Sequence, residues 1–121
     1  MSLQSVEISW SQFRLHPCWS NIRILSLLGE CISWIDIDHL IKDLIPQLEH
    51  LQMNVTTSEE CQKILDILLS PTSNNRLISM KICICQTLSD QIREDLEPRF
   101  SSSQWIPVRY QMDHWYLYIW K

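Results

Sequence analysis

The sequence predicts an α+β domain, with helices in its N-terminal part and an antiparallel strand pair at its C-terminus. Three observations carry this. Between Asp36 and Leu51 the residues Leu40, Ile41, Leu44, Ile45, Leu48 and Leu51 recur at intervals of three and four, the spacing of one helix face. From Trp105 to Trp120 apolar and aromatic residues instead follow the period of two that a pleated strand imposes. Finally, there is a single glycine in 121 residues, too few for the tight turns on which all-β folds depend.

Residues 1–20 form a poorly patterned leader in which Trp10, Phe13 and Trp19 pack on something, and His16-Pro17 marks a turn. The domain proper runs from 21 to 121. Its first apolar run, Ile22 to Leu28, ends at Gly29, a natural helix stop, although a strand of this length is equally compatible. The stripe from Asp36 to Leu51 is interrupted by Pro46, which removes a backbone donor and predicts a kink or two shorter helices. Thr57-Ser-Glu-Glu60 reads as a capping box opening a helix with Cys61, Ile64, Leu65, Leu68 and Leu69 on its apolar face, and Pro71 follows its end. Residues 70–75 form a loop. In 77–85, Ile78, Met80, Ile82 and Ile84 alternate with Ser79, Lys81, Cys83 and Cys85, which favours a strand, although a helix continuing into Gln86–Leu96 is equally compatible. Pro98 and Ser101 to Ser103 make the next connection. The last two strands meet near Gln111 to Asp113, and without a glycine a loop wider than a tight primed hairpin is expected. In the final strand His114, Tyr116, Tyr118 and Trp120 share one face, while Trp115, Leu117 and Ile119 share the other. No internal repeat is evident.

Composition narrows the class. Hydrophobic residues make up 45% and charged residues 20%, which argues for a packed fold over disorder. A net charge of −4 with ten scattered Lys and Arg argues against nucleic acid as a partner. The N-terminus lacks the basic start and apolar core of a signal peptide, and no apolar run approaches the length of a membrane span. Five cysteines in such a chain point to reduced thiols inside a cell, nuclear or cytoplasmic. No cofactor is expected. Cys83-x-Cys85 lacks the two-residue spacer of common zinc sites, so no metal is expected either.

Trp105-Ile-Pro-Val108, the link Arg109 to Asp113, and His114-Trp-Tyr-Leu-Tyr-Ile119 together resemble the core of the ubiquitin-like proteases, the SUMO-protease family of cysteine peptidases. Ser33-Trp-Ile-Asp-Ile-Asp-His-Leu-Ile41 is similar to that family's upstream tryptophan motif, with Ile37 where an aspartate is usual. The resemblance implies a papain-like fold of which this chain holds the N-terminal portion, and a ubiquitin-like modifier such as SUMO as partner. It implies His114 as the base that activates a cysteine, with Trp34 and Trp115 walling a tunnel for a diglycine tail. The family's aspartate, oxyanion-hole glutamine and nucleophilic cysteine all follow the histidine, whereas this chain ends seven residues after it. A truncated or degenerate product without hydrolytic activity of its own is therefore expected.

The residues also admit plainer readings. His114 fits a strand histidine bonded to a backbone carbonyl, and Trp34 and Trp115 fit ordinary core packing. His16, His39 and His50 fit solvated or locally bonded side chains. Asp36, Asp38 and Asp43 fit a solvated helix face. Cys18, Cys31, Cys61, Cys83 and Cys85 all precede the histidine, the reverse of the family order. The alternative function is a small helical protein-interaction module, with no membrane association and no catalytic activity.

Overall fold

The computed structural model describes residues 5–13, 22–45, 47–72, 76–84 and 89–121. His16-Pro17, Cys18, Trp19, Pro46 and Cys85 lie outside this set, as do the side chains of Trp10, Phe13 and Cys31. The chain forms β1 (Ser5–Ile8), α1 (Trp10–Phe13), β2 (Ile24–Cys31), α2 (Trp34–His39) with a π-turn over Leu40–Leu44, and β3 (His50–Asn54). There follow α3 (Ser58–Leu68), β4 (Ser79–Cys83), α4 (Ser89–Phe100), β5 (Arg109–Met112) and β6 (Tyr116–Trp120). This is a mixed α+β domain.

The six strands form one sheet in the order β1-β2-β3-β4-β6-β5. β1 to β4 are parallel neighbours in chain order, whereas β6 runs antiparallel to β4 and β5 antiparallel to β6. The C-terminal antiparallel pair is as the sequence predicts. The N-terminal part holds helices as expected, but interleaved with four parallel strands, of which β3 replaces the end of the expected 36–51 helix and β1 lies in the unpatterned leader. Successive right-handed crossovers in sequential order put their helices on one face of a sheet and leave the other open.

The parallel strands reveal a repeat that the sequence reading missed. Ile24 pairs with His50 and His50 with Ser79, steps of 26 and 29 residues. Each step carries the same apolar frame: Ile22-x-x-Leu25-x-Leu27, Leu48-x-x-Leu51-x-Met53 and Leu77-x-x-Met80-x-Ile82, all buried. The frame's last two positions alternate with outward residues on one strand, and Leu51 pairs with Leu25 on one side and Met80 on the other. The core thus lies between the inward sheet face and Ile37, Leu40, Ile64, Leu65, Ile92 and Leu96 of the helices.

The long stripe at 36–51 is divided. Ser33 caps α2 by accepting from the Asp36 N–H, and Leu40 accepts from the Ile45 N–H at 2.8 Å in a five-residue step. Ile45 precedes Pro46 and takes φ −136°, ψ 75°, outside helical geometry, as a residue before proline is driven to do. Leu48 and Leu51 therefore belong to the next repeat and not to a helix. Gly29, read as a helix stop, sits in β2 where the pairing with β3 shifts register between Ser26 and Cys31. The α3 helix starts as predicted, with Thr57 Oγ1 accepting from the Glu60 N–H at 3.1 Å. Pro98 falls inside the last turns of α4, which runs on to Phe100 instead of breaking.

Candidate functional site

His114 and Trp115 lie between the last two strands. Asp113 donates its N–H to the Tyr116 carbonyl at 3.0 Å, leaving only these two residues at the tip. The connection is tighter than a glycine-free sequence implies. Asp113 explains why: its Oδ1 accepts from the N–H groups of Trp115 and Tyr116, each at 2.8 Å, and so closes the turn with a side chain. Those two bonds hold its carboxyl below the ordinary value of 3.8. Both His114 and Trp115 are exposed, Trp115 at 58%. His114 therefore sits in the turn and not on the strand face with Tyr116.

Trp34 opens α2, where its N–H donates to Glu60 Oε2 at 3.2 Å and its ring lies 5.7 Å from Lys63 Nζ. It is half-buried and packs against the core from the helix side. Trp34 and Trp115 emerge at the same edge of the sheet, beyond the C-terminal ends of the parallel strands. β3 and β4 stand between their strands, a separation of three strand spacings or about 14 Å. Trp115 instead offers its carbonyl to the Ile84 N–H at 2.8 Å.

Two of the five cysteines have described side chains. Cys61 is fully buried in α3 and burial pushes its thiol up to about 12, so it carries no thiolate near neutral pH. Cys83 is half-buried on the open sheet face, where Gln52 Nε2 donates to its Sγ at 3.9 Å. Among the described residues no hydrogen bond joins either thiol to an imidazole, and no cluster of His, Cys, Asp and Glu could hold a metal ion. No helix among them is long and apolar enough to cross a membrane.

The open face of the sheet is the other assembled surface. Its outward positions fall in rows set by the strand register. One row runs Ile24, His50, Ser79, Trp120, Arg109, and the next runs Ser26, Gln52, Lys81, Tyr118, Gln111. His50 Nδ1 and the Ser79 hydroxyl are 2.6 Å apart, and Ser26 donates to Gln52 Oε1 at 3.5 Å. Lys81 Nζ lies 4.2 Å from the Tyr116 ring centroid and 5.6 Å from that of Tyr118. Tyr118 stacks along Trp120, their centroids 6.2 Å apart. A depression of about 260 Å³ lies among Ile24, His50, Gln52, Lys81, Tyr118 and Trp120. The sequence carried a signal for this surface in the alternate residues of 77–85 and 116–120. The missing step was the repeat that sets those strands side by side.

Comparison of the chain with models of known protein families, with curated proteins and with solved structures gives no significant match.

Proposed function

We propose that this chain is a protein-interaction module built from βα repeats, and that it binds a partner protein on its open sheet face. The observation that carries the reading is the asymmetry of the sheet. One face is sealed by helices around a continuous core, while the other presents aromatic, amide and cationic side chains in register. The L-x-x-L-x-L frame with steps of 26 and 29 residues has the spacing of leucine-rich repeats, whose stacked strands form extended binding surfaces. Exposed Trp120 and half-buried Tyr116 and Tyr118 are the residue types that anchor protein interfaces. The test is site-specific photo-cross-linking from Gln52 on the open face and from Lys42 on the helix side. A protein captured from Gln52 alone, which then binds the purified chain and loses binding on Tyr118→Ala, supports the reading. Equal capture from both positions, or none from Gln52, overturns it.

The peptidase relationship stands as a second proposal, favoured by the exposure of His114 and Trp115 side by side at one sheet edge. It carries with it a papain-like arrangement completed by residues beyond those present. On that reading the chain alone leaves a SUMO precursor uncut, and a tail-cleaving activity appears only when a segment bearing an aspartate and a cysteine is supplied. Cleavage by residues 1–121 that survives His114→Ala would remove His114 from any catalytic role.

A further inference from the structure

We propose that the strip formed by Lys81, Tyr116, Tyr118, Trp120 and Arg109 docks an extended acidic segment of the partner. This rests on the open-face reading above and names the chemistry it selects. Charge is segregated across the fold. Ten of the fourteen acidic residues lie on α2 with its π-turn, α3 and α4, all on the helix side. The outward positions of β3, β4, β6 and β5 hold Lys81, Arg109 and His50 and no carboxylate. A chain of net charge −4 thus turns a cationic face outward on four adjacent strands. Glu7 on β1, at the far edge, is an exposed acid in register with that surface.

Lys81 is placed for recognition. Two tyrosine rings flank its ammonium and hold the charge on the sheet surface, and Asp113 in the β5–β6 turn attracts it through space without an ion pair among the described residues. An incoming carboxylate gains a charge-assisted hydrogen bond there and breaks no ion pair already described. Beside it the 260 Å³ depression, bordered by Ile24 and Trp120, has room for an apolar side chain next to that carboxylate. An extended segment that places an acidic and an apolar residue two positions apart, on one face, meets both features. The strongly acidic helix layer makes a polyanionic nucleic acid the poorer match.

The full chain is titrated, with anisotropy as readout, against a labelled peptide of about eight residues in the repeating order Glu-Glu-Val-Val, which presents Glu and Val in turn on each face and spans the roughly 24 Å width of six strands. A Lys/Val peptide of the same length is the control. The acidic peptide is expected to bind about tenfold or more tightly than the basic one. Raising ionic strength from about 0.05 M to about 0.5 M weakens that binding. Lys81→Glu lowers it by about tenfold, while Lys42→Glu, at a lysine paired with Asp38 on α2, leaves it unchanged; circular dichroism confirms that both variants fold. Equal binding of the two peptides, indifference to Lys81→Glu, or displacement of the peptide by a single-stranded oligonucleotide overturns the proposal. If the peptide fails while Gln52 still cross-links to one discrete protein, the acidic chemistry is wrong and the interaction reading stands. If Gln52 also captures nothing, both fall.

Discussion

Asp113 does in the last turn what a glycine does elsewhere, and it does so most strongly while ionised. Its folded value is lowered below 3.8 by the amides of Trp115 and Tyr116, so its stabilisation is fully present above that pH. It is lost as the pH falls from 3.8 through the lower folded value. Urea midpoints measured across acidic pH should therefore decline more steeply for the native chain than for Asp113→Asn, which keeps an acceptor but does not titrate. Identical slopes would show that the carboxylate contributes nothing there. Cys61 gives a second residue-scale expectation. With its thiol buried and raised to about 12, it should resist iodoacetamide in the folded protein and react on unfolding, as peptide mapping by mass spectrometry can follow. Labelling of native Cys61 at the unfolded rate would contradict its burial.

Individual elements are held by side chains that reach between layers. Glu60 illustrates this: it is the last residue of the predicted capping box, yet its carboxylate accepts from the N–H of Trp34 and so ties the starts of α2 and α3 together. The Thr57 half of the box behaves as predicted, and Thr57→Ala should cost about 1 kcal/mol in denaturant titration. At the other end, Asp66 Oδ1 on α3 accepts from buried Trp105 Nε1 at 2.8 Å and from Arg99 at 2.9 Å. Phe100 packs edge-on against Trp105 and face-to-face with Tyr110, at 5.2 and 4.0 Å between centroids. Asp66→Ala leaves the buried indole N–H without its acceptor and should cost about 1–3 kcal/mol, while Asp66→Asn, which retains an acceptor, should cost less. Equal losses would assign the effect to the exposed ion pair. Local patterns such as the cap at Thr57, the alternation at 79–83 and the final strand pair were legible because neighbouring residues determine them. The stripe at 36–51 misled because two frames of different period abut at Pro46, so helix-like spacing continued by coincidence into Leu48 and Leu51.

At the scale of the molecule, the repeat escaped the sequence reading because unequal steps of 26 and 29 residues blur self-similarity. The outward rows escaped with it: Lys81 and Tyr118 are 37 positions apart and become neighbours only once β6 folds back on β4. His114 and Trp115 were legible as an unusual pair, and the structure adds that they occupy a turn closed by Asp113. Leu51 lies at the centre of the stack with a repeat on either side, and Leu51→Ala should cost about 2–5 kcal/mol by urea unfolding. A loss below about 1 kcal/mol would mean that the site collapses to fill the cavity. The sequential strand order also bears on time. From β1 to β4 each strand pairs with the next along the chain, so ordering can spread from one unit to the next, whereas β6 must close a longer loop over α4 and β5 to reach β4. Such a chain should loosen from its ends, with amide exchange slowest in β3 and β4 and progressively faster toward β1 and β5.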